Sequence, residues 1–160
     1  MVQLVPMTKT EYQAFRSRSV REYAEEKVVA GTWKPEDAPA LAEATFRRFL
    51  PDDLETAGAY LFSVKETEQQ TPVGHLWFNV IEQEKGPIVF ILDILIYGEF
   101  QGQGYGQATM TALEDQVREL GLNTIGLHVF GHNQRAYRLY QKMGYIATDI
   151  QMSKTLEDRG

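Results

Sequence analysis

The sequence predicts an α/β (α+β) chain with a mixed, mostly antiparallel central sheet and helices on both faces. Two observations carry this. Three period-two apolar runs follow one another from Ala57, separated by short turns, which is the pattern of consecutive hairpins. After them the order changes to helix, strand, helix, strand, which brings parallel pairing into the same sheet. At 160 residues with 43% hydrophobic content, the expectation is one domain with a substantial core.

Val2 to Pro6 is the first strand. Thr8-x-x-Glu11 is a capping-box pattern, and a long helix of mixed polarity follows to about Ala30, where Gly31 to Pro35 breaks it. A second helix starts near Pro35, with Ala38, Leu41, Ala42, Thr45, Phe46 and Phe49 at helical spacing, and Pro51-Asp52-Asp53 ends it. Strands are expected at Ala59 to Val64, Val73 to Ile81 and Pro87 to Tyr97. Gln103 to Leu120 repeats apolar residues at three and four and closes on Gly121 as its C-cap. Thr124 to Phe130 reads as a strand, Asn133 to Met143 as a helix, and Tyr145 to Ser153 as a last strand.

Composition removes several function classes. There is no cysteine, hence no disulfide, thiolate zinc site or covalent Cys intermediate. A formal net charge of -6 with no basic stripe argues against nucleic acid as a partner. The N-terminus lacks a signal-peptide pattern, and Asp93 interrupts the longest apolar run, so no membrane partner and a cytoplasmic location are expected. No serine lies in G-x-S-x-G, and no His/Asp/Glu cluster has metal-ligand spacing, so no metal site is expected.

The most informative stretch is Leu92 to Gly106, L-D-I-L-I-Y-G-E-F-Q-G-Q-G-Y-G, which runs from an apolar strand into glycines that open a helix. Backbone N–H groups at such a start can hold a phosphate-bearing ligand, and glycine lets the ligand come close. A turn of this shape also serves as a plain strand-to-helix connection. The dinucleotide fingerprint fails because its third glycine would fall on Gln107, and Gly-Lys-Ser/Thr is absent.

The context is more specific. Gln101, Gly104 and Gly106 form Gln-x-x-Gly-x-Gly, and about 30 residues later comes N-Q-R-A-Y-R-L-Y-Q-K-M-G-Y, Asn133 to Tyr145. Together these segments resemble the GCN5-related N-acetyltransferase (GNAT) superfamily, over roughly Ala57 to Ser153. The resemblance implies a sheet with splayed central strands and acetyl-CoA as acyl donor. It implies an acceptor-side helical part at residues 1–56 and an acetyl-CoA-binding core at 57–153. Gln101, Gly102, Gln103, Gly104, Tyr105 and Gly106 resemble the pyrophosphate cradle, and Ile94, Leu95 and Ile96 the strand that pairs with the pantetheine arm. Asn133 resembles the cofactor-contacting asparagine, and Arg135, in the first turn after it, is a candidate for the phosphates. Gly98 departs from the family, which often has proline there. Dimers are common among relatives, so a homodimer is compatible with the resemblance.

Acetyl transfer to an amine needs a neutral nucleophile, stabilisation of a developing oxyanion and a proton for the leaving thiolate. Backbone N–H groups around Leu95 and Ile96 are candidates for the second, where splaying frees them from the ladder. Tyr140 resembles the tyrosine near the CoA sulfur, and a phenol stays protonated at neutral pH. A packed core tyrosine is its other reading, since Ala136, Leu139 and Met143 form that stripe. For proton removal there are two candidates. Asp93 sits in an apolar run and needs a partner or water. His128 lies where some relatives carry a catalytic glutamate. Each has a structural alternative, an ion-paired carboxylate and a satisfied histidine. His75, with Trp77 and Asn79, either borders the acceptor pocket or packs in a strand.

The acceptor, a small-molecule or protein amine, is expected between the two N-terminal helices and the loop through Asp52, Asp53 and Glu55. Tyr12, Phe15, Tyr23 and Trp33 either floor that pocket or pack the helices. Direct attack in a ternary complex is the expected route, with an acyl-CoA-binding sensor on the same fold as the alternative. A longer acyl donor also fits the resemblance.

Overall fold

A computed structural model describes residues 1–160. Five strands form one sheet in the order β1-β2-β3-β4-β5: β1 Val2–Pro6, β2 Ala59–Glu66, β3 Pro72–Gln83, β4 Gly86–Ile96 and β5 Ile125–Leu127. The first four pair antiparallel and β5 joins β4 in parallel, so the sheet is mixed and mostly antiparallel, as expected. Helices α1 Lys9–Val29 and α2 Ala38–Phe49 precede β2; α3 Tyr105–Glu119 lies between β4 and β5, and α4 Gln134–Lys142 follows. No helix is long and apolar enough to cross a membrane.

Strand alternation sorts the side chains onto the two faces. Phe62, Val64, Leu76 and Phe78 meet Met110, Leu113 and Val117 of α3 and Tyr140 of α4. Leu61 and Trp77 point the other way, onto Tyr12, Phe15 and Phe46 of α1 and α2. Burial of those two apolar sets is the main drive for layering helices on both faces.

The capping box forms as the sequence predicts. Glu11 N donates to Thr8 Oγ1 at 3.1 Å, and Thr8 N to Glu11 Oε1 at 2.9 Å. The other Glu11 oxygen accepts from Ser63 Oγ at 3.0 Å, tying α1 to β2. Arg16 donates twice to Glu43, at 3.1 and 2.9 Å, which pins α1 to α2.

Several boundaries differ from the sequence reading. Helix α2 begins at Ala38 rather than near Pro35, after a turn in which Asp37 N donates to Lys34 O. Helix α3 begins at Tyr105 rather than Gln103, because Gly104 has φ 86°, a left-handed conformation no helix continues through. The strand expected at Thr124 to Phe130 is only Ile125–Leu127. The last strand, Tyr145 to Ser153, does not form: that segment has no regular structure, and Ile146, Ile150 and Met152 are exposed. Its period-two pattern needs a neighbouring edge to pair with, and three-residue β5 offers almost none.

Candidate active site

The site begins where β4 loses a neighbour. β4 and β5 pair only at Val89, Phe90 and Ile91, opposite Ile125, Gly126 and Leu127. Beyond Ile91, β4 continues to Ile96 with β3 alone on one edge. The register shifts there, with Trp77 opposite Asp93 and Phe78 opposite Ile91, so Leu92 is the extra residue of a bulge. The two strands diverge into a cavity of about 390 Å³, walled by residues 90–95 on one side and 127–130 on the other. Helix α4 supplies Ala136 and Tyr140, and α1 and α2 close the far side with Ser19, Tyr23 and Phe46.

Three sequence-predicted catalytic candidates line this one cavity: Asp93, His128 and Tyr140, together with Ile94, Leu95 and Asn133. Tyr140 is buried, and its hydroxyl makes no hydrogen bond within the chain. Burial, with the Asp93 charge second, pushes its phenol up to about 12, so it keeps its proton at neutral pH. His128 stands at the exposed rim, edge-on to Phe130. Partial withdrawal from water, then the Lys27 ammonium, lowers its imidazole below the usual histidine range. Asn133 caps α4, its Oδ1 accepting from Ala136 N at 3.2 Å.

Asp93 has a partner the sequence did not disclose. His75 Nε2, on the adjacent strand, lies 3.2 Å from Asp93 Oδ2, within ion-pair range but not aligned as a hydrogen bond. The His75 ring is buried edge-on to Phe15, while the Asp93 side chain stays 27% exposed toward the cavity. The carboxylate in this apolar strand therefore has a neighbouring imidazole on one side and partial exposure on the other.

The glycine turn lies outside the cavity, at the end of β4. Gly102 and Gly104 take φ 78° and 86°, where a side chain would strain the backbone. Gly106 does not; a Cβ there would press on Leu139 at 3.3 Å, so it lets α3 approach α4. The N–H groups of Gly102, Gln103 and Gly104 find no acceptor in the chain, and the first backbone bond of α3 is Ala108 N to Gly104 O at 3.1 Å. A row of free donors therefore opens the helix. Gln101 spans the two motifs: its Nε2 donates to Ile96 O at 2.9 Å, and its Oε1 accepts from Arg135 Nη1 at 2.7 Å. Residues 34 apart in sequence thus meet at one corner. Gln103 donates to Glu99 O at 3.2 Å, and the Tyr105 ring packs on Phe100, which leaves their main chain for a ligand.

The acceptor-side expectations divide. Tyr23 lines the cavity, whereas Tyr12 and Phe15 are core residues and Trp33 packs edge-on to Tyr23. Asp52, Asp53 and Glu55 are not in the wall: Asp53 instead accepts from Tyr12 Oη at 2.7 Å. Ser19, Glu22 and Glu26 of α1 are, and sequence reasoning missed them. A signal existed for Ser19, a polar residue at the helical spacing that follows Tyr12 and Phe15.

The model of the acetyltransferase (GNAT) family matches residues 19–145. The uncharacterized N-acetyltransferase YycN of Bacillus subtilis (strain 168) is 39% identical over 97% of this chain and 99% of its own. YdgE of the same organism, also an uncharacterized N-acetyltransferase, is 34% identical over 96% and 97%. The crystal structure of YycN matches 99% of this chain and 100% of that one, with a TM-score of 0.93. The fold is shared at 14% identity and a TM-score of 0.60 by AAC(6')-Iy, which was solved in complex with the bisubstrate analogue CoA-S-monomethyl-acetylneamine. The family match covers most of the chain, and the identity to YycN extends over nearly the full length of both proteins: the chain belongs to the acetyltransferase (GNAT) family.

Proposed function

We propose that this acetyltransferase moves an acetyl group from acetyl-CoA to an amine by direct attack in a ternary complex. The observation that carries the reading is the opening between β4 and β5, where Asp93, His128 and Tyr140 face one cavity. The residues present fit the donor. Free N–H groups at Gly102, Gln103 and Gly104, with no side chain on the two glycines, suit the pyrophosphate, and Arg135 adds a positive charge beside them. The unpaired edge of Ile94, Leu95 and Ile96 offers backbone groups to the amides of the pantetheine arm. The CoA-analogue complex of AAC(6')-Iy supports the same donor.

Acetyl-CoA supplies an activated carbonyl: the amine nitrogen bonds to it, the C–S bond breaks, and an acetamide and CoA leave. In this reading Tyr140 gives its proton to the departing sulfur, which its raised pKa permits at neutral pH. Backbone N–H groups around Leu95 and Ile96 stabilise the oxyanion. Asp93 attracts the ammonium form of the acceptor, and His128, held neutral, takes the proton that the nitrogen must lose, through water. Residues 1–56 supply the helical part of the acceptor side and residues 57–153 the acetyl-CoA-binding core.

Calorimetric titration with acetyl-CoA, and with acetyl-pantetheine as the phosphate-free control, tests the donor. Micromolar binding that the control loses is expected; absence of binding to any acyl-CoA overturns the reading. Binding without turnover on a broad amine panel would instead favour an acyl-CoA sensor.

A further inference from the structure

The acceptor half of the cavity has a chemistry of its own. Its walls are rings: Tyr23 of α1, Phe46 and Phe49 of α2, Trp77 of β3, Phe90 of β4 and Phe130 after β5. The Trp77 indole N–H is already given to Asn79 Oδ1 at 2.8 Å, so the ring has no donor left for a ligand. The charged groups on this wall are largely spoken for. Glu22 accepts from Arg18 at 2.8 Å, Glu26 pairs with His132, and the Lys27 ammonium lies over the rings of Tyr23, Trp33 and Phe130. Asp93 has only the His75 ring beside it, at 3.2 Å and not aligned as a hydrogen bond.

Three buried polar atoms, Ser19 Oγ, His75 Nε2 and Tyr145 Oη, make no hydrogen bond, and of these residues Ser19 lines the cavity. Ser19 is 2% exposed, lines the cavity, and its Oγ makes no hydrogen bond to any group of the chain. Buried hydroxyls are normally satisfied; this one is shut off from water on a residue of the cavity wall, and a turn about its χ1 would bring it to a molecule bound there. The volume matters as well. About 390 Å³ lies near the small end of the range for small-molecule sites, and it must also admit the reacting end of the donor. A long polyamine would need several free carboxylates, and an amino sugar many polar partners. Of the three carboxylates on this wall, Glu22 and Glu26 are held by Arg18 and His132, and 14 of the 22 lining residues are hydrophobic.

We infer, building on the acetyltransferase reading, that the acceptor is a small primary amine carried on an apolar, ring-bearing body. The body lies against the aromatic wall, the ammonium is drawn toward Asp93, and Ser19 Oγ makes one hydrogen bond to the molecule. Ser19 is then a specificity-determining residue of the acceptor site.

The test is an amine panel at saturating acetyl-CoA, read by release of free thiol. Phenethylamine, tyramine and cyclohexylmethylamine stand for the inferred class; spermidine, glucosamine and an alanine-initiated peptide stand for its rivals. The expected result is a kcat/KM for the best ring-bearing amine about 100-fold above every rival. A rival at the top overturns the inference while leaving the acetyltransferase reading in place. Transfer to no amine, with acetyl-CoA still bound, would remove both. A second arm uses Ser19→Ala, a substitution the buried site accommodates. Its KM for the best amine should rise about fivefold to tenfold, the loss of one hydrogen bond, with KM for acetyl-CoA unchanged. An unchanged acceptor KM would sink the role of Ser19, and equal loss toward both substrates would mark it as structural.

Discussion

At the scale of single residues, the site depends on a few groups whose environment differs from water. Tyr140, like any phenol, is protonated at neutral pH and burial holds it so to higher pH, and nothing in the chain accepts from its hydroxyl. Replacing it by phenylalanine keeps the packing and removes the proton. The expected outcome is a fall in kcat of about 100-fold with KM for acetyl-CoA little changed, measured by steady-state kinetics. The pH dependence separates the other two groups. His128 titrates below 6.5 in the folded chain, so it is largely neutral at pH 7 and charges as the pH falls. kcat/KM should therefore drop on an acid limb below about pH 6.5, and His128→Ala should remove that limb. Asp93→Asn should keep it and raise KM for the amine instead. An acid limb that vanishes in the Asp93 variant and survives in the His128 variant would exchange their roles. Ser19→Ala should also raise the melting temperature slightly, since it removes an unsatisfied buried hydroxyl that costs about 1 kcal/mol or more.

At the scale of elements, the junction of β3 and β4 is the most constrained part of the sheet. A Cβ on Gly74 would lie 2.1 Å from Leu95 O, on the strand that borders the cavity. Gly74→Ala must therefore push β4 away, and a loss of roughly 2–3 kcal/mol is expected, or about 5–10 °C in Tm. Thermal unfolding checks it; a Tm within a degree of the parent would mean that the strands yield freely. The elements themselves were legible where a local rule decides. Thr8 and Glu11 predict the start of α1 because the capping box is built from neighbours in sequence. The strand expected at Tyr145 to Ser153 fails because alternation says only that a segment can face two ways, and pairing needs an edge.

For the whole molecule, two acid-sensitive ties hold α1 in place. Glu11 is held below the usual carboxylate range, first by its backbone hydrogen bond from Thr8, and Glu43 chiefly by hydrogen bonds from Arg16. A carboxylate with a lowered folded pKa binds fewer protons folded than unfolded, so its stabilisation is present above about pH 4.5 and is lost as pH falls through the folded value. Urea midpoints should therefore decline from about pH 5 downward, and Glu11→Gln with Glu43→Gln should flatten the slope. Both groups keep part of their surface in water, which limits the size of the effect.

Sequence by itself determined the order of elements as far as α4, the capped start of α1, the mixed sheet and the motif pair that marks the family. All of these rest on rules of short range: periodicity, capping and the conformational freedom of glycine. It also named Asp93, His128 and Tyr140 one at a time. Only the tertiary structure decided that the three share one cavity with Ser19, that His75 stands beside Asp93, and that Gln101 meets Arg135. It also removed the Asp52 to Glu55 loop from the wall. The reason is register. Which residue of β3 faces Asp93 depends on where the bulge falls, and that is set by packing between distant segments.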